Sequence, residues 1–296
     1  MRLKVVLAGV CAILLASCGG GGGSGSGPDI SSAEIRSLTG AGVPVETPAA
    51  QRARSPGIVS RADSLIVSTI YGETSHSALP TFRLGSQCTG TQCTISEPRI
   101  GYSETIRLSD FEVSTGSTTA VGTKHGVTLM SWTEQDMGAS YTTFGAWMSH
   151  SGFAVEYAQA TEQEIRIGLR SGVAGGNLTG TQVTGSATWL GVMVGTPATG
   201  SGRGDRLQGD AALNYDIGAG GGIDVAFSSI KNIDRGIAHS TPTVLFVDIP
   251  ITSRGTFEAG FVGNRIQGGF YGPGHAEAAG VFEQSNIVGA FGARRQ

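Results

Sequence analysis

The sequence predicts an all-β fold in which an eight-stranded antiparallel β-barrel follows a smaller β-rich region with one candidate short helix. Glycine accounts for 48 of 296 residues, and each glycine in a helix interior costs about 1 kcal/mol relative to alanine. Apolar and polar residues alternate with period two over residues 206–217, which places Leu207, Leu213 and Tyr215 on one face. About eight such segments follow residue 141, and closing them into a barrel would remove exposed sheet edges.

The charge balance excludes some classes of function. Twenty Lys and Arg residues stand against 23 Asp and Glu residues, which gives a net charge of −3 and no basic stripe. Nucleic-acid binding is therefore not expected. The five histidines are scattered, and the chain has no GxSxG, P-loop or HExxH motif. We therefore predict neither an enzyme nor a resident cofactor or metal.

The N-terminus predicts export. Residues 1–18 contain a positive end with Arg2 and Lys4 and an apolar stretch over 5–16, which is too short to span a bilayer. The stretch ends in Leu-Ala-Ser-Cys18, which resembles the lipobox of bacterial lipoproteins. This resemblance implies that Cys18 carries the lipid (palmitate among its acyl chains) and anchors the chain to a membrane. No aspartate follows Cys18, which resembles outer-membrane sorting.

A tether and a first β-rich region follow the anchor. Residues 19–56 are rich in Gly, Ser and Pro, and a flexible coil of that length spans roughly 34 Å. A short helix is a candidate at 32–38. Within the β-rich region, 57–140, residues 57–71 fit either a helical face or a strand. Cys88 and Cys93 flank a four-residue turn, and export favours a disulfide between them.

The end of the chain carries a family resemblance. The motifs are GFYGP at 269–273, Glu277, GVF at 280–282 and GAFGAR at 289–294. They resemble the closing strands of the transferrin-binding protein B type lipoprotein barrel, which factor H-binding protein and haem- or haemoglobin-binding lipoproteins share. The resemblance covers residues 141–296, and its specific part is the last 30 residues. His275, Ala276 and Ala279 depart from the family pattern, which usually has Ala, Glu and Gly there.

The resemblance implies a function as well as a fold. It implies a lipoprotein at the outer membrane, exposed on the cell surface by an outer-membrane translocator. It also implies binding of a host or environmental protein, or of a haem- or iron-bearing ligand, through loops of the barrel. A periplasm-facing structural lipoprotein with the same barrel is the alternative. An integral outer-membrane barrel is disfavoured, because lipid-facing arginines cost about 2–4 kcal/mol at mid-depth.

Two loops are the candidate binding segments, at residues 195–205 and 234–242. The first carries Arg203 and Asp205 of an Arg-Gly-Asp triplet, which a glycine-rich chain also produces by chance. The second carries Arg235, Ile237 and His239.

Both loops lack the Trp and Tyr anchors that dominate binding hot spots, so Trp132, Tyr141, Trp147 or the N-terminal region would have to contribute. Tyr271 and His275 are spaced as haem ligands could be, but a structural turn explains them more simply.

Overall fold

The computed structural model describes residues 62–75, 77, 80–97, 102–107, 117–136, 139–162, 165–216 and 221–296. Within these ranges the chain forms two antiparallel β-sheets and no α-helix, which confirms the predicted all-β class. The described part of the chain also has no helix that is long and apolar enough to cross a membrane. Cys18, the tether over 19–56 and the candidate helix over 32–38 lie outside the described residues.

The first sheet contains ten strands. They are β1 (Ser64–Val67), β2 (Ile70–Thr74), β3 (Thr81–Thr89), β4 (Gln92–Glu97), β5 (Tyr102–Arg107), β6 (Ser117–Lys124), β7 (Val127–Asp136), β8 (Ala139–Trp147), β9 (Ser151–Glu162) and β10 (Ile165–Gly176). Their order is β5-β4-β3-β2-β10-β9-β8-β7-β6, and β1 also pairs with β10. Ser64–Val67 and Ile70–Thr74 are therefore strands, which decides for strands in the described part of the segment 57–71.

The second sheet contains nine strands. They are β11 (Ala187–Pro197), β12 (Leu207–Tyr215), β13 (Gly222–Asn232), β14 (Ile237–Ala238), β15 (Val244–Pro250), β16 (Thr256–Phe261), β17 (Asn264–Tyr271), β18 (Glu277–Gln284) and β19 (Ile287–Arg295). Their order is β14-β13-β12-β11-β19-β18-β17-β16, with β15 beside β13. A single 3₁₀ turn, Pro273–His275, separates β17 from β18.

The second sheet curls like a barrel but is not closed by a continuous ladder, which corrects the prediction of a closed barrel. Strand β15 pairs with β13, and it meets β16 through one bridge, Ile251 to Phe257. The pairing of β15 with β13 shifts register near Asp248, which has a positive φ of 52°. Pro250 follows and has no N–H to donate. These two residues interrupt the regular backbone that a closing ladder requires.

The change of sheet also falls later in the chain than the predicted start of the barrel at residue 141. Strands β8, β9 and β10 pair within the first sheet, and the second sheet begins at Ala187. Alternation shows which residues share a face of a strand. It does not show which strand lies next to it, so it could not separate the two sheets.

Side chains fill the inside of the second sheet. On β12 the buried positions alternate as predicted, with Leu207, Ala211, Leu213 and Tyr215 inside. The aromatic rings of neighbouring strands meet there, for example Phe227 and Phe282 with ring centroids 4.3 Å apart. The strands therefore form a packed scaffold, and the sequences of the connections at their ends can vary without disturbing it.

The two sheets pack on each other through an apolar cluster. It contains Val192 and Val194 of β11 and Ala290 of β19, against Phe144 and Phe153 of the first sheet. Each of these side chains is buried. The first sheet thus covers the outer face of β11 and β19.

Candidate functional site

The two predicted binding loops lie at the same end of the second sheet. This end, called the loop end below, is formed by the β11–β12 connection (198–206), the β13–β14–β15 connections (233–236 and 239–243), the β16–β17 turn (262–263) and the β18–β19 turn (285–286). Antiparallel pairing of β11, β12, β13 and β19 places these connections together. The structure therefore brings both candidate loops into one surface.

An ion pair joins the two loops. The Arg235 Nε lies 2.6 Å from the Asp205 carboxylate, and Arg235 Nη2 donates to the Ser201 carbonyl at 2.7 Å. The Asn232 side chain also donates to Asp205 at 2.7 Å. A second pair lies beside it, between Arg206 and Asp234 at 2.5 Å. The loop end is thus a connected surface.

The pKa of Asp234 reflects this pairing. Burial alone would raise the pKa of the Asp234 carboxyl. Hydrogen bonds from the Arg206 side chain and backbone, together with its charge, outweigh burial, so the pKa lies below its ordinary value.

The first loop is also attached to the first sheet. Arg203 Nε donates to Glu73 at 2.5 Å, and Glu73 forms a second ion pair with the buried Arg170 at 2.9 Å. Arg170 in turn donates to the Ala198 carbonyl at 3.0 Å. The half-buried Tyr157 packs against this loop, and burial raises the pKa of its hydroxyl. The loop is therefore held in one position from both sides.

These contacts bear on the Arg-Gly-Asp triplet. Its Arg203 pairs with Glu73 and its Asp205 pairs with Arg235. Gly204 between them has a positive φ of 83° and faces the Tyr157 ring. Both charged side chains of the triplet form ion pairs within the molecule. This favours a structural role for the triplet over a role in binding a partner.

The loop end exposes apolar side chains that the sequence reasoning missed. Phe261 is 70% exposed and Ile237 is 56% exposed, while Val262 follows Phe261 in the same turn. Phe261 thus gives the loop end an exposed aromatic side chain, which the two candidate loops themselves lack. The signal was present in the sequence, as Gly260 and Gly263 bracket a Phe-Val pair in a hairpin turn.

The chain enters the described body at the opposite end. Asp63 N donates to the Gly176 carbonyl at 3.0 Å, and Asp63 Oδ1 accepts from Leu178 N at 2.8 Å. Leu178 forms a bridge to Tyr271, where β17 ends. The first described residues, 62 and 63, therefore lie away from the loop end.

Tyr271 and His275 lie at that opposite end and are buried. The His275 ring nitrogen Nε2 is 2.8 Å from the Thr181 carbonyl, and its own carbonyl accepts a bond from Trp189 Nε1 at 2.8 Å. Burial raises the pKa of the Tyr271 hydroxyl to about 12. Both residues tie the β17–β18 turn to neighbouring segments, which supports their explanation as a structural turn. Within the described ranges no group of three His, Cys, Asp or Glu side chains is arranged to hold a metal ion.

The other predicted residues lie in the first sheet. The disulfide between Cys88 and Cys93 is present and joins β3 to β4, with the two Cα atoms 4.0 Å apart. Trp132 is on β7, and Tyr141 and Trp147 are on β8. Of these three, the structure describes the side chain of Trp147 alone, and it is half-buried. None of the three lies on a connection of the loop end.

Comparison with known proteins gives limited similarity. No family model matches the chain, and no curated protein matches it. Among solved structures, transferrin-binding protein B of Haemophilus parasuis aligns with 78% of this chain at 14% identity, with a TM-score of 0.37. The N-lobe of lactoferrin-binding protein B of Moraxella bovis aligns with 79% at 11% identity, with a TM-score of 0.38. A putative outer membrane protein of Bacteroides fragilis aligns with 80% at 10% identity, with a TM-score of 0.25.

These alignments differ in how much of the other protein they cover. The chain spans 45% of the Haemophilus protein, 99% of the Moraxella lobe and 98% of the Bacteroides protein. TM-scores below 0.5 do not establish a common fold. The family resemblance in the last 30 residues therefore stays a sequence-based expectation.

Proposed function

We propose that this chain is a lipid-anchored protein of the outer membrane that captures a protein or an iron- or haem-bearing ligand with its loop end. The observation that carries the proposal is the position of the two candidate loops. They are joined by the Arg235–Asp205 pair and lie opposite the end where the chain enters through Asp63. A tether from Cys18 would then leave the loops facing away from the lipid surface.

The packed interior supports separate roles for the strands, which form the frame, and the loops, which bind. Loops on a rigid frame can change without disturbing the core, and the frame here is filled with side chains. Phe261 and Ile237 add the exposed apolar area that a binding surface needs. The resemblance of residues 269–294 to transferrin-binding protein B type lipoproteins suggests the class of ligand, and surface display by a translocator belongs to the same proposal.

The test replaces residues 199–204 with a Gly-Ser segment of equal length. Immobilised haem, haemoglobin, transferrin and lactoferrin serve as probes. We expect the intact chain to retain at least one probe and the variant to lose it. The variant should keep its circular dichroism spectrum, because exposed ion pairs contribute only about 0–1 kcal/mol each.

A matched control replaces Ser253-Arg254 with Gly-Ser. These exposed residues connect β15 and β16 at the opposite end, so the control should bind as the intact chain does. Equal binding by the loop variant and the control would contradict the role of the loop end. Failure of every probe with the intact chain would contradict the proposed ligand class.

A further inference from the structure

Two strand edges of the second sheet face each other without a ladder between them. Strand β15 pairs with β13 along one edge, and β16 pairs with β17 along one edge. In the described part of the chain, β15 and β16 share a single bridge, Ile251 to Phe257, away from the loop end. Among the described residues, no strand pairs with 244–248 or 258–261 on that side, so their backbone N–H and C=O groups there lack a ladder. We call this opening the wedge.

Three exposed side chains at the wedge are apolar, while the exposed Asp248 and Glu258 at its margins are charged. Leu245 is 53% exposed and Val247 is 62% exposed, and Phe261 at the end of β16 is exposed as well. On the paired strand β12 the outward positions are mostly polar, for example Asp210 and Asn214.

Proteins usually protect free edges with charges, prolines or bulges. In β15 the irregularity at Asp248 and the proline come only after Val247. Residues 244–247 are thus an unprotected apolar edge.

We propose that the wedge binds an extended peptide segment of a partner protein, which adds a strand to β15. Strand addition of this kind uses backbone hydrogen bonds for affinity and alternate side chains for specificity. Leu245 and Val247 are two residues apart, which is the spacing at which alternate side chains of an added strand lie on the same face. The inference rests on the proposed function, since the segment would belong to the captured protein.

The fold favours a single extended segment over a second copy of the chain. In each copy of the chain the free edge of β15 faces the β16 of the same copy. The β15 edges of two copies therefore cannot pair with each other unless β16 moves in both. An extended segment needs the width of one strand, about 4.8 Å. A lipid surface is disfavoured by position, because the chain enters at the end opposite Phe261.

The test uses the full chain in mild detergent and two fluorescein-labelled decapeptides. One peptide alternates Val and Thr. The other has Pro in place of each Thr and cannot donate a ladder of hydrogen bonds. We expect binding of the first peptide alone. A variant with Leu245→Lys and Val247→Lys should bind it about tenfold more weakly or worse, which corresponds to about 1.4 kcal/mol.

The matched control is Val121→Lys, which changes an exposed apolar residue on β6, an edge strand of the first sheet. It should bind as the intact chain does. Hydrogen–deuterium exchange gives a readout at the site itself. The alternating peptide should slow exchange at residues 244–248, and the proline peptide should not.

Three results would overturn the inference. They are equal binding of both peptides, equal binding by the double lysine variant, and a dimer of the intact chain that the same variant abolishes while peptide binding does not occur. The last result would assign the wedge to a second copy. The Gly-Ser replacement at 199–204 leaves β15 unchanged, so protection by the peptide can persist when ligand capture by the loops is lost.

Discussion

Glu283 holds three separate segments at the loop end. Its buried carboxylate accepts hydrogen bonds from Thr69 N at 2.7 Å, Gly263 N at 2.9 Å and the Tyr71 hydroxyl at 3.1 Å. Burial and the charge of Glu283 raise the pKa of the Tyr71 hydroxyl, so this group stays a donor. One side chain of β18 therefore fixes the first sheet and the Phe261-bearing turn together.

Replacing this carboxylate should destabilise the molecule. In Glu283→Gln one oxygen becomes an NH₂ group that faces a donor, so a buried N–H loses its acceptor. We expect the free energy of unfolding to fall by roughly 2–4 kcal/mol in urea titrations. Glu258→Gln is the control, because Glu258 is 54% exposed and pairs with Arg265. The control should cost at most about 1 kcal/mol, and equal losses in both variants would contradict the role of Glu283.

The ion pairs of Asp210 predict that the free energy of unfolding depends on pH. Asp210 lies 2.5 Å from Lys124 Nζ and 2.9 Å from His125 Nε2, so it joins the β6–β7 turn to β12. Burial would raise the pKa of this carboxyl, but bonds from Lys124 and His125 together lower it. A carboxylate with a lowered pKa stabilises the fold above its unfolded pKa of about 3.9. That contribution disappears as the pH falls through the folded value.

Asp210→Asn should therefore be less stable than the intact chain at pH 7 and at pH 5. The loss should be at most about 1 kcal/mol, because the pair is partly exposed. The difference should shrink as the pH falls below about 4, because the carboxyl is protonated first in the unfolded chain and then, at its lowered pKa, in the folded protein. Urea titrations at pH 7, 5 and 3 measure it. A difference that stays the same at pH 3 would show that the charge of Asp210 does not stabilise the contact.

At the scale of elements, the glycines of the last strands have a physical role. A Cβ on Gly292 of β19 would lie 2.3 Å from the Phe153 ring and 2.9 Å from the Met148 methyl group. The first sheet therefore approaches β19 closely at this residue. The motif at 289–294 that suggested a family thus also marks the contact between the two sheets.

Gly292→Ala should separate the sheets or displace Phe153. Overpacking of a filled interior costs typically about 1–3 kcal/mol, so we expect a lower melting temperature. Gly122→Ala is the control, since a Cβ there would meet nothing within 4 Å. The control should melt as the intact chain does. If Gly292→Ala also melts unchanged, the packing of β19 against the first sheet is looser than the contacts indicate.

The elements also show where prediction from the sequence stops. Alternation identified the buried face of β12 from Leu207 to Tyr215, and the turn between Cys88 and Cys93 identified the disulfide. Both depend on neighbours in the sequence. The pairing of β10 with β2 and the open edge of β15 depend on residues far apart in the chain, and periodicity contains no information about them.

Some features of the candidate site could likewise be predicted from the sequence, and others could not. The positions of the loops follow from the strand ends, so the sequence could predict them. The ion pairs of Arg203 with Glu73 and of Arg235 with Asp205 join residues 130 and 30 positions apart. Their formation depends on how the sheets are arranged. The sequence therefore predicts where the two candidate loops lie, but not that their charges pair within the molecule or that Phe261 is the exposed aromatic group beside them.

At the scale of the whole molecule, both ends of the second sheet should be accessible from outside the cell if Cys18 is the anchor. An epitope tag inserted after Gly200 reports on the loop end, where a Cβ would meet nothing within 4 Å. A tag inserted after Ser253 reports on the opposite end. We expect antibodies to label both tags on intact cells, because a coil of 38 residues keeps the body roughly 34 Å from the lipid.

Cys18→Ala should remove the acyl label and the surface labelling together, because one lipid site would provide both the anchor and the signal for display. The body should still fold, since its buried core clusters are formed by described residues after Asp63. Flow cytometry on intact and permeabilised cells measures the two tags. Labelling that requires permeabilisation would support the periplasm-facing alternative, and unchanged acylation of Cys18→Ala would contradict the anchor itself.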